Sequence, residues 1–134
     1  MSFPSHETPG ELIDRVRAAA AARSPLHLAG GHTKAFYGEA VAGEVLSTTG
    51  WSGIVSYEPT ELVVTVRAGT PLAELEAVLA ERGQCFPFEP PHFGPGGTVG
   101  GMVAAGLAGP ARASAGAVRD FVLGARFITG RGEL

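Results

Sequence analysis

The sequence predicts an α+β fold in which helices alternate with short strands. Two segments, residues 9–23 and 70–83, place apolar residues at helical spacing between helix start and stop signals. A β-branched run at residues 62–66 has the composition of a strand. Three further short apolar runs, at residues 26–28, 45–48 and 54–57, are bounded by turn-forming residues and also indicate strands.

The first helix is expected to begin after Thr8, with Pro9 at the first helical position and Glu11 completing a capping box. Ser24 and Pro25 end it, because the residue before a proline disfavours the helical conformation. Its buried stripe is expected to contain Leu12, Ile13, Val16 and Ala20.

The second helix is expected to be capped by Thr70, to open at Pro71 and to end at Gly83. Its buried stripe is expected to contain Leu72, Leu75, Val78 and Leu79. A third, short helix of small residues is predicted over residues 98–107. Between the last two helices, residues 86–95 hold four prolines and are expected to be irregular.

The final segment, residues 121–129, is predicted to be a strand. A hairpin turn at residues 130–132 follows it, and residues 133–134 would begin a return strand. Because a domain rarely stops one residue into a new strand, we expect the chain to be the front part of a longer protein.

Composition excludes several classes of function. A net charge of −3 argues against a nucleic-acid partner, and Lys34 is the only lysine, so a polybasic membrane patch is not expected. A single cysteine, Cys85, excludes an intramolecular disulfide and a multi-cysteine metal site; a buried, inert thiol is expected. The N-terminus resembles no signal peptide, the apolar runs are too short to span a membrane, and a cytoplasmic location is predicted.

The first candidate site follows the predicted strand at residues 26–28 and contains Gly30, Gly31, His32, Thr33 and Lys34. Adjacent glycines let successive backbone N–H groups converge into an anion-binding nest. The hydroxyl and the ammonium group add a hydrogen-bond donor and a positive charge, and this combination suits a pyrophosphate. The alternative is an ordinary Gly-Gly turn after a strand.

The second candidate site lies within residues 94–106, where small residues recur every fourth position. Glycines inside a helix cost about 1 kcal/mol each relative to alanine, so their number indicates that something approaches the backbone closely. The helix N-terminus would offer free N–H groups to an anion. Tight packing without a ligand is the alternative. Arg112 could pair with a phosphate, although a solvated surface arginine is the simpler interpretation. No metal-binding spacing of histidines is found.

The ordered motifs resemble the FAD-binding domains of the p-cresol methylhydroxylase and vanillyl-alcohol oxidase (PCMH) type, over about residues 8–134. The resemblance is carried by Gly30-Gly31-His32-Thr33, by residues 62–70, by Gly96-Gly97-Thr98-Val99-Gly100-Gly101, and by Gly116-x-x-x-Asp120-x-Val122-x-Gly124. Residues 99–112 and 116–124 are most similar to the FAD-binding subunits of bacterial glycolate oxidases, also called glycolate dehydrogenases.

This resemblance implies FAD as the cofactor and a two-part domain. A small α/β subdomain, residues 1–55, would carry the pyrophosphate loop. A larger, mainly antiparallel sheet with helices would begin at residues 56–134, and its remainder and a substrate cap domain would lie beyond this chain. The implied cofactor-binding residues are Gly30, Gly31, His32, Thr33, Lys34, Gly96, Gly97, Thr98, Gly100, Gly101, Gly109, Arg112, Gly116 and Val122.

The resemblance also implies an FAD-dependent oxidoreductase acting on CH–OH groups, with hydride passing from glycolate to the flavin. Electrons would pass to partners, namely a second flavin subunit and an iron–sulfur subunit, which could hold the protein peripherally at the inner face of the membrane. The alternatives are a sugar-lactone oxidase or cell-wall-sugar reductase, and a non-catalytic scaffold subunit. In some relatives a histidine at the position of His32 is joined covalently to the flavin. No catalytic base is assigned, and His92 is expected to be a plain loop histidine.

Overall fold

The computed structural model describes residues 9–134. Its helices and strands follow one another as α1 (Gly10–Ala22), β1 (Leu26–Ala29), β2 (Glu44–Ser47), β3 (Ile54–Glu58), β4 (Val63–Val66), α2 (Leu72–Ala80), α3 (Val99–Ala105) and α4 (Arg112–Ala115). Single 3-10 turns occupy Pro59–Glu61 and Val118–Asp120. Within residues 9–134, no helix combines the length and the apolar character that crossing a bilayer requires.

The first strand pair is parallel and brings β1 beside β2. Helix α1 is tied to this pair by Arg15, whose guanidinium donates to the carboxylate of Glu44 at 2.5 Å and to the carbonyl oxygen of Val45 at 2.9 Å. Beyond the ends of the strands, Thr48 N–H donates to the carbonyl oxygen of Ala29 at 2.8 Å. The chain therefore leaves β1 in a fixed direction, directly into the first glycine loop.

The second pair is antiparallel and joins β3 to β4 through the 3-10 turn. Leu62, expected to begin the strand, instead ends this turn with a φ of +56°, so β4 starts at Val63. The two pairs meet at Gly69, whose N–H donates to the carbonyl oxygen of Trp51 at 2.8 Å. A Cβ on Gly69 would overlap the carbonyl oxygen of Thr48, so only glycine allows this approach.

The core forms where the apolar stripe of α2 meets β3, α3 and residues 86–95, here called the proline-rich loop. Its buried members are Ile54, Leu72, Leu75, Leu79, Phe88, Val99, Met102 and Val118. Leu72, Leu75 and Leu79 confirm the predicted stripe, and burial of each side chain contributes about 1.5–3 kcal/mol of hydrophobic free energy.

Several local predictions are wrong. Thr70 does not cap α2: its buried hydroxyl accepts from Gly53 N–H at 2.9 Å and donates to the carbonyl oxygen of Arg67 at 2.7 Å. Pro9 precedes the first helical residue, and the predicted cap Thr8 lies outside the described residues. Cys85 is exposed, because it lies in the loop after α2 and not on the buried stripe.

The predicted strand at residues 121–129 does not form. Within residues 9–134 no strand lies beside it, and a strand without a neighbour has no partners for its backbone hydrogen bonds. The predicted turn after it is present, since Gly132 N–H donates to the carbonyl oxygen of Thr129 at 2.9 Å. Leu123 and Phe127 are left 84% and 69% exposed.

Candidate functional site

The two glycine loops meet directly. A Cβ added to Gly31 would overlap the carbonyl oxygen of Gly96, and one added to Gly30 would lie 2.6 Å from the hydroxyl oxygen of Thr98. On the other side of the contact, a Cβ on Gly97 would lie 3.6 Å from the hydroxyl oxygen of Thr33. Residues about 65 positions apart in the sequence thus form one backbone surface. Glycine is required at Gly31 because the opposing group is backbone and cannot rotate away.

The first loop turns sharply after β1. His32 has a φ of +56°, and its carbonyl oxygen accepts from Ala35 N–H at 3.1 Å. A turn with a residue in the left-handed region is one of the backbone arrangements that can direct successive N–H groups at an anion. Lys34 extends over the ring of Phe93, with its Nζ 6.0 Å from the ring centroid. The positive charge is therefore held beside the turn.

The second loop is held by the connection between β4 and α2. Leu72 N–H donates to the carbonyl oxygen of Gly97 at 2.7 Å, and Val99 N–H donates to that of Thr70 at 2.9 Å. Gly100 N–H donates to the carbonyl oxygen of Ala68 at 2.8 Å. These hydrogen bonds fix the loop against an element that is itself anchored in the core.

The expectation of free N–H groups at the N-terminus of α3 is wrong. Val99 and Gly100 use their N–H groups on the connection just described, and Gly101 N–H donates to the hydroxyl of its cap, Thr98, at 3.2 Å. A Cβ on Gly100 would lie 2.8 Å from that of Ala68, so the tight-packing alternative accounts for this glycine.

Unpaired donors are found instead in the loops before the helix. Among residues 9–134, no partner accepts a hydrogen bond from the backbone N–H of Gly31, His32, Thr33 or Gly97. All four lie in the segments that form the contact between the loops. Four N–H donors and the ammonium group of Lys34 make a donor set suited to a diphosphate, which offers only acceptors and carries negative charge.

Arg112 and Val122 are also brought together, but in a different place. They line an open depression of about 410 Å³ whose remaining lining residues are Val103, Gly106, Ala117, Val118 and Arg119. Helix α3 connects this depression to the glycine loops, because Val103 and Gly106 lie at its C-terminal end. The predicted site residues therefore form two neighbouring groups along α3.

The other two predicted glycines make close approaches within the chain. A Cβ on Gly109 would lie 2.6 Å from a carboxylate oxygen of Glu89, and Gly109 N–H donates to the carbonyl oxygen of the same residue at 2.8 Å. Gly116 has a φ of +93° and faces the carboxylate of Asp120, which accepts from Ala117 N–H at 2.7 Å. Both glycines shape the turns around α4.

Two residues of the proline-rich loop reach the site and were missed from the sequence. Phe93 covers Lys34 and meets the ring of Phe36 at a centroid distance of 5.2 Å. Glu89 contacts the turn before α4. The only sequence signal that could have identified Phe93 and Glu89 is the presence of aromatic and acidic residues between prolines. In the same loop, His92 pairs with Glu76 of α2 at 2.9 Å, as befits a structural loop histidine.

Comparison with known proteins decides the family. Residues 5–134 match the family described as FAD binding domain. The chain belongs to this family. It is 52% identical over 122 residues to "Glycolate oxidase subunit GlcE" of Escherichia coli (strain K12), across 91% of this chain and 35% of that protein. The FAD binding domain described here thus spans about a third of the length of that relative. No solved structure matches the chain.

The donors of this FAD binding domain fit its cofactor. FAD carries a diphosphate between its two nucleotide halves, and the paired loops present unpartnered N–H groups beside a lysine. The predicted α+β class and the FAD cofactor are both confirmed.

Proposed function

We propose that this chain is the FAD-binding portion of an oxidoreductase subunit that oxidises glycolate to glyoxylate. The contact between the two glycine loops supports the cofactor part of the proposal, because it brings together the two segments that contain the unpartnered N–H groups. The 52% identity to a protein named as a glycolate oxidase subunit supports the choice of substrate.

We assign the diphosphate of FAD to the N–H groups of Gly31, His32, Thr33 and Gly97, with Lys34 balancing the charge. The other predicted glycines and Thr98 would shape the surface through backbone approach and capping, and Arg112 and Val122 would contact a further part of the cofactor. FAD, when bound, supplies a flavin ring that accepts a hydride from the carbon bearing the substrate hydroxyl. The chain's own residues bind and orient the cofactor. The base that takes the hydroxyl proton is not assigned to this chain.

The proposed setting follows from the same relative. A glycolate oxidase subunit works with other subunits, and we propose a second flavin subunit and an iron–sulfur subunit as the electron acceptors. A cytoplasmic location, peripheral to the membrane through those partners, is part of the proposal and agrees with a single, unpaired cysteine.

We propose that FAD is held without a covalent bond to His32. The ring of His32 packs edge-on against that of His27, with centroids 6.1 Å apart, so it has a partner within the chain. Acid precipitation separates the alternatives: the flavin should remain in the supernatant, and flavin retained by the pellet would show covalent attachment.

The proposed function is tested with protein expressed from its whole open reading frame and purified with any partners that accompany it. The visible absorption spectrum should show bound flavin, and glycolate should bleach it under anaerobic conditions. Sugar lactones, as matched controls, should leave the spectrum unchanged. Bound flavin that lactones bleach and glycolate does not would contradict the substrate, and protein without flavin or affinity for FAD would contradict the function.

A further inference from the structure

The depression beside α3 is lined by two arginines, Arg112 and Arg119, and by three valines. This combination suits a ligand with one anionic and one apolar part. Arg112 is the first residue of α4, which contains only four residues. Helix nucleation is unfavourable, and a single turn does not persist unless the surrounding structure supports it. The position of Arg112 therefore depends on whatever holds that turn.

Glu89 holds it through two different groups. Its carboxylate accepts from Ala111 N–H at 2.8 Å, and its carbonyl oxygen accepts from Gly109 N–H at 2.8 Å. Gly109 leaves room for the Glu89 side chain, since a Cβ there would lie 2.6 Å from the carboxylate. The turn before α4 is thus fastened at both of its ends to one residue of the proline-rich loop.

Ala111 is the centre of this turn. Its carbonyl oxygen accepts from Ser114 N–H at 2.9 Å and from Ala115 N–H at 2.7 Å. Its own N–H donates to the carboxylate of Glu89. A carboxylate at the N-terminal end of a helical turn satisfies a donor left open there and interacts favourably with the aligned peptide dipoles. α4 has no cap from its own N-cap side chain, because that residue is an alanine. Glu89 supplies the missing cap from a distance of 22 residues.

We propose that Glu89 is a positioning residue of the FAD site, which holds the 109–112 turn so that Arg112 lines the depression. The proposal rests on the assignment of Arg112 to the cofactor. Two observations support this role. Glu89 makes the only side-chain cap of α4 within residues 9–134, and the absence of a Cβ on Gly109 leaves space for the Glu89 carboxylate.

A double-mutant cycle on FAD affinity tests the proposal, using the protein expressed from its whole open reading frame and titrated by flavin fluorescence. Glu89→Ala is expected to weaken FAD binding about fivefold, the effect of one hydrogen bond accepted by an exposed carboxylate. Glu89→Gln keeps an acceptor oxygen and should stay within about twofold of wild type. Glu81→Ala, at an exposed glutamate after α2, is the matched control and should bind like wild type. In an Arg112→Ala background, Glu89→Ala should cause no further loss.

The outcomes separate this proposal from the one on which it rests. A wild-type protein that binds no FAD would refute the proposed function itself. An Arg112→Ala effect without a Glu89→Ala effect would overturn only the role of Glu89, as would equal Glu89→Ala effects in both backgrounds. Should Glu89→Ala fail to fold, Gly109→Ala displaces the carboxylate from the other side. It is expected to weaken binding similarly, and unchanged affinity would overturn the proposal.

Discussion

Replacing Gly31 with alanine perturbs the contact between the two glycine loops at its closest point. The added Cβ would overlap the carbonyl oxygen of Gly96 and lie 2.5 Å from its carbonyl carbon and 3.2 Å from Gly97 N. Ordinary van der Waals contact begins near 3.4 Å, so the loops must part by about 2 Å to free the carbonyl oxygen of Gly96. Neither loop can yield by rotating a side chain, because every opposing atom is backbone.

The separation should have two measurable effects. Overpacking of this kind lowers the free energy of unfolding by about 1–3 kcal/mol, which chemical denaturation measures. FAD affinity should fall at least about tenfold, equivalent to 1.4 kcal/mol, because one loop then no longer reaches the diphosphate together with the other. Fluorescence titration of the apoprotein with FAD measures this second effect.

Gly50→Ala is the matched control. A Cβ at Gly50 meets nothing within 4 Å and its φ is an ordinary one, so alanine should leave FAD affinity unchanged and stability equal or slightly higher. If the Gly31→Ala variant had the FAD affinity and stability of wild type, the close backbone contact between Gly31 and Gly96 would be refuted.

Three further substitutions test the supports of the site, each by chemical denaturation. Thr98→Ala removes the hydroxyl cap of α3 and should cost about 1 kcal/mol, whereas Thr98→Ser should restore it; equal stability of the two variants would contradict the cap. Thr70→Val keeps the shape of the side chain but leaves Gly53 N–H without its acceptor, at a cost of about 1–3 kcal/mol, and Thr70→Ser should recover most of it. Gly100→Ala brings a Cβ to 2.8 Å from that of Ala68 and should destabilise by about 1–3 kcal/mol; a neutral effect would disprove the tight approach.

The elements with strong local signals could be predicted from the sequence. The apolar stripe of α2, the end of that helix near Gly83 and the short α3 follow from the spacing of apolar residues and the placement of glycines. Both glycine loops could be identified from the sequence. The first has adjacent glycines after a strand, the second has small residues at every fourth position, and both patterns are typical of close backbone approach. The structure adds that the two loops contact each other.

Features that depend on tertiary partners could not be predicted. Thr70 stands where a helix cap is expected, just before the apolar stripe of α2. Its hydroxyl instead donates to the carbonyl oxygen of Arg67 and accepts from Gly53 N–H. Residues at the start of a helix are expected to have free N–H groups. In the fold, the N–H groups of Val99 and Gly100 donate to carbonyl oxygens of the connection between β4 and α2. The run at residues 121–129 has β-favouring composition, yet strand formation requires an adjacent strand. Glu89 has no local signal for the turn that it holds 22 residues away.

Residue-resolved amide hydrogen exchange, compared between FAD and riboflavin, tests most directly whether both glycine loops hold one diphosphate. Riboflavin carries the flavin ring without any phosphate, so it separates contacts to the diphosphate from contacts to the ring. The account predicts that FAD, and not riboflavin, slows exchange at Gly31, His32, Thr33 and Gly97 together. Protection confined to one of the two loops, or equal protection by riboflavin, would contradict it.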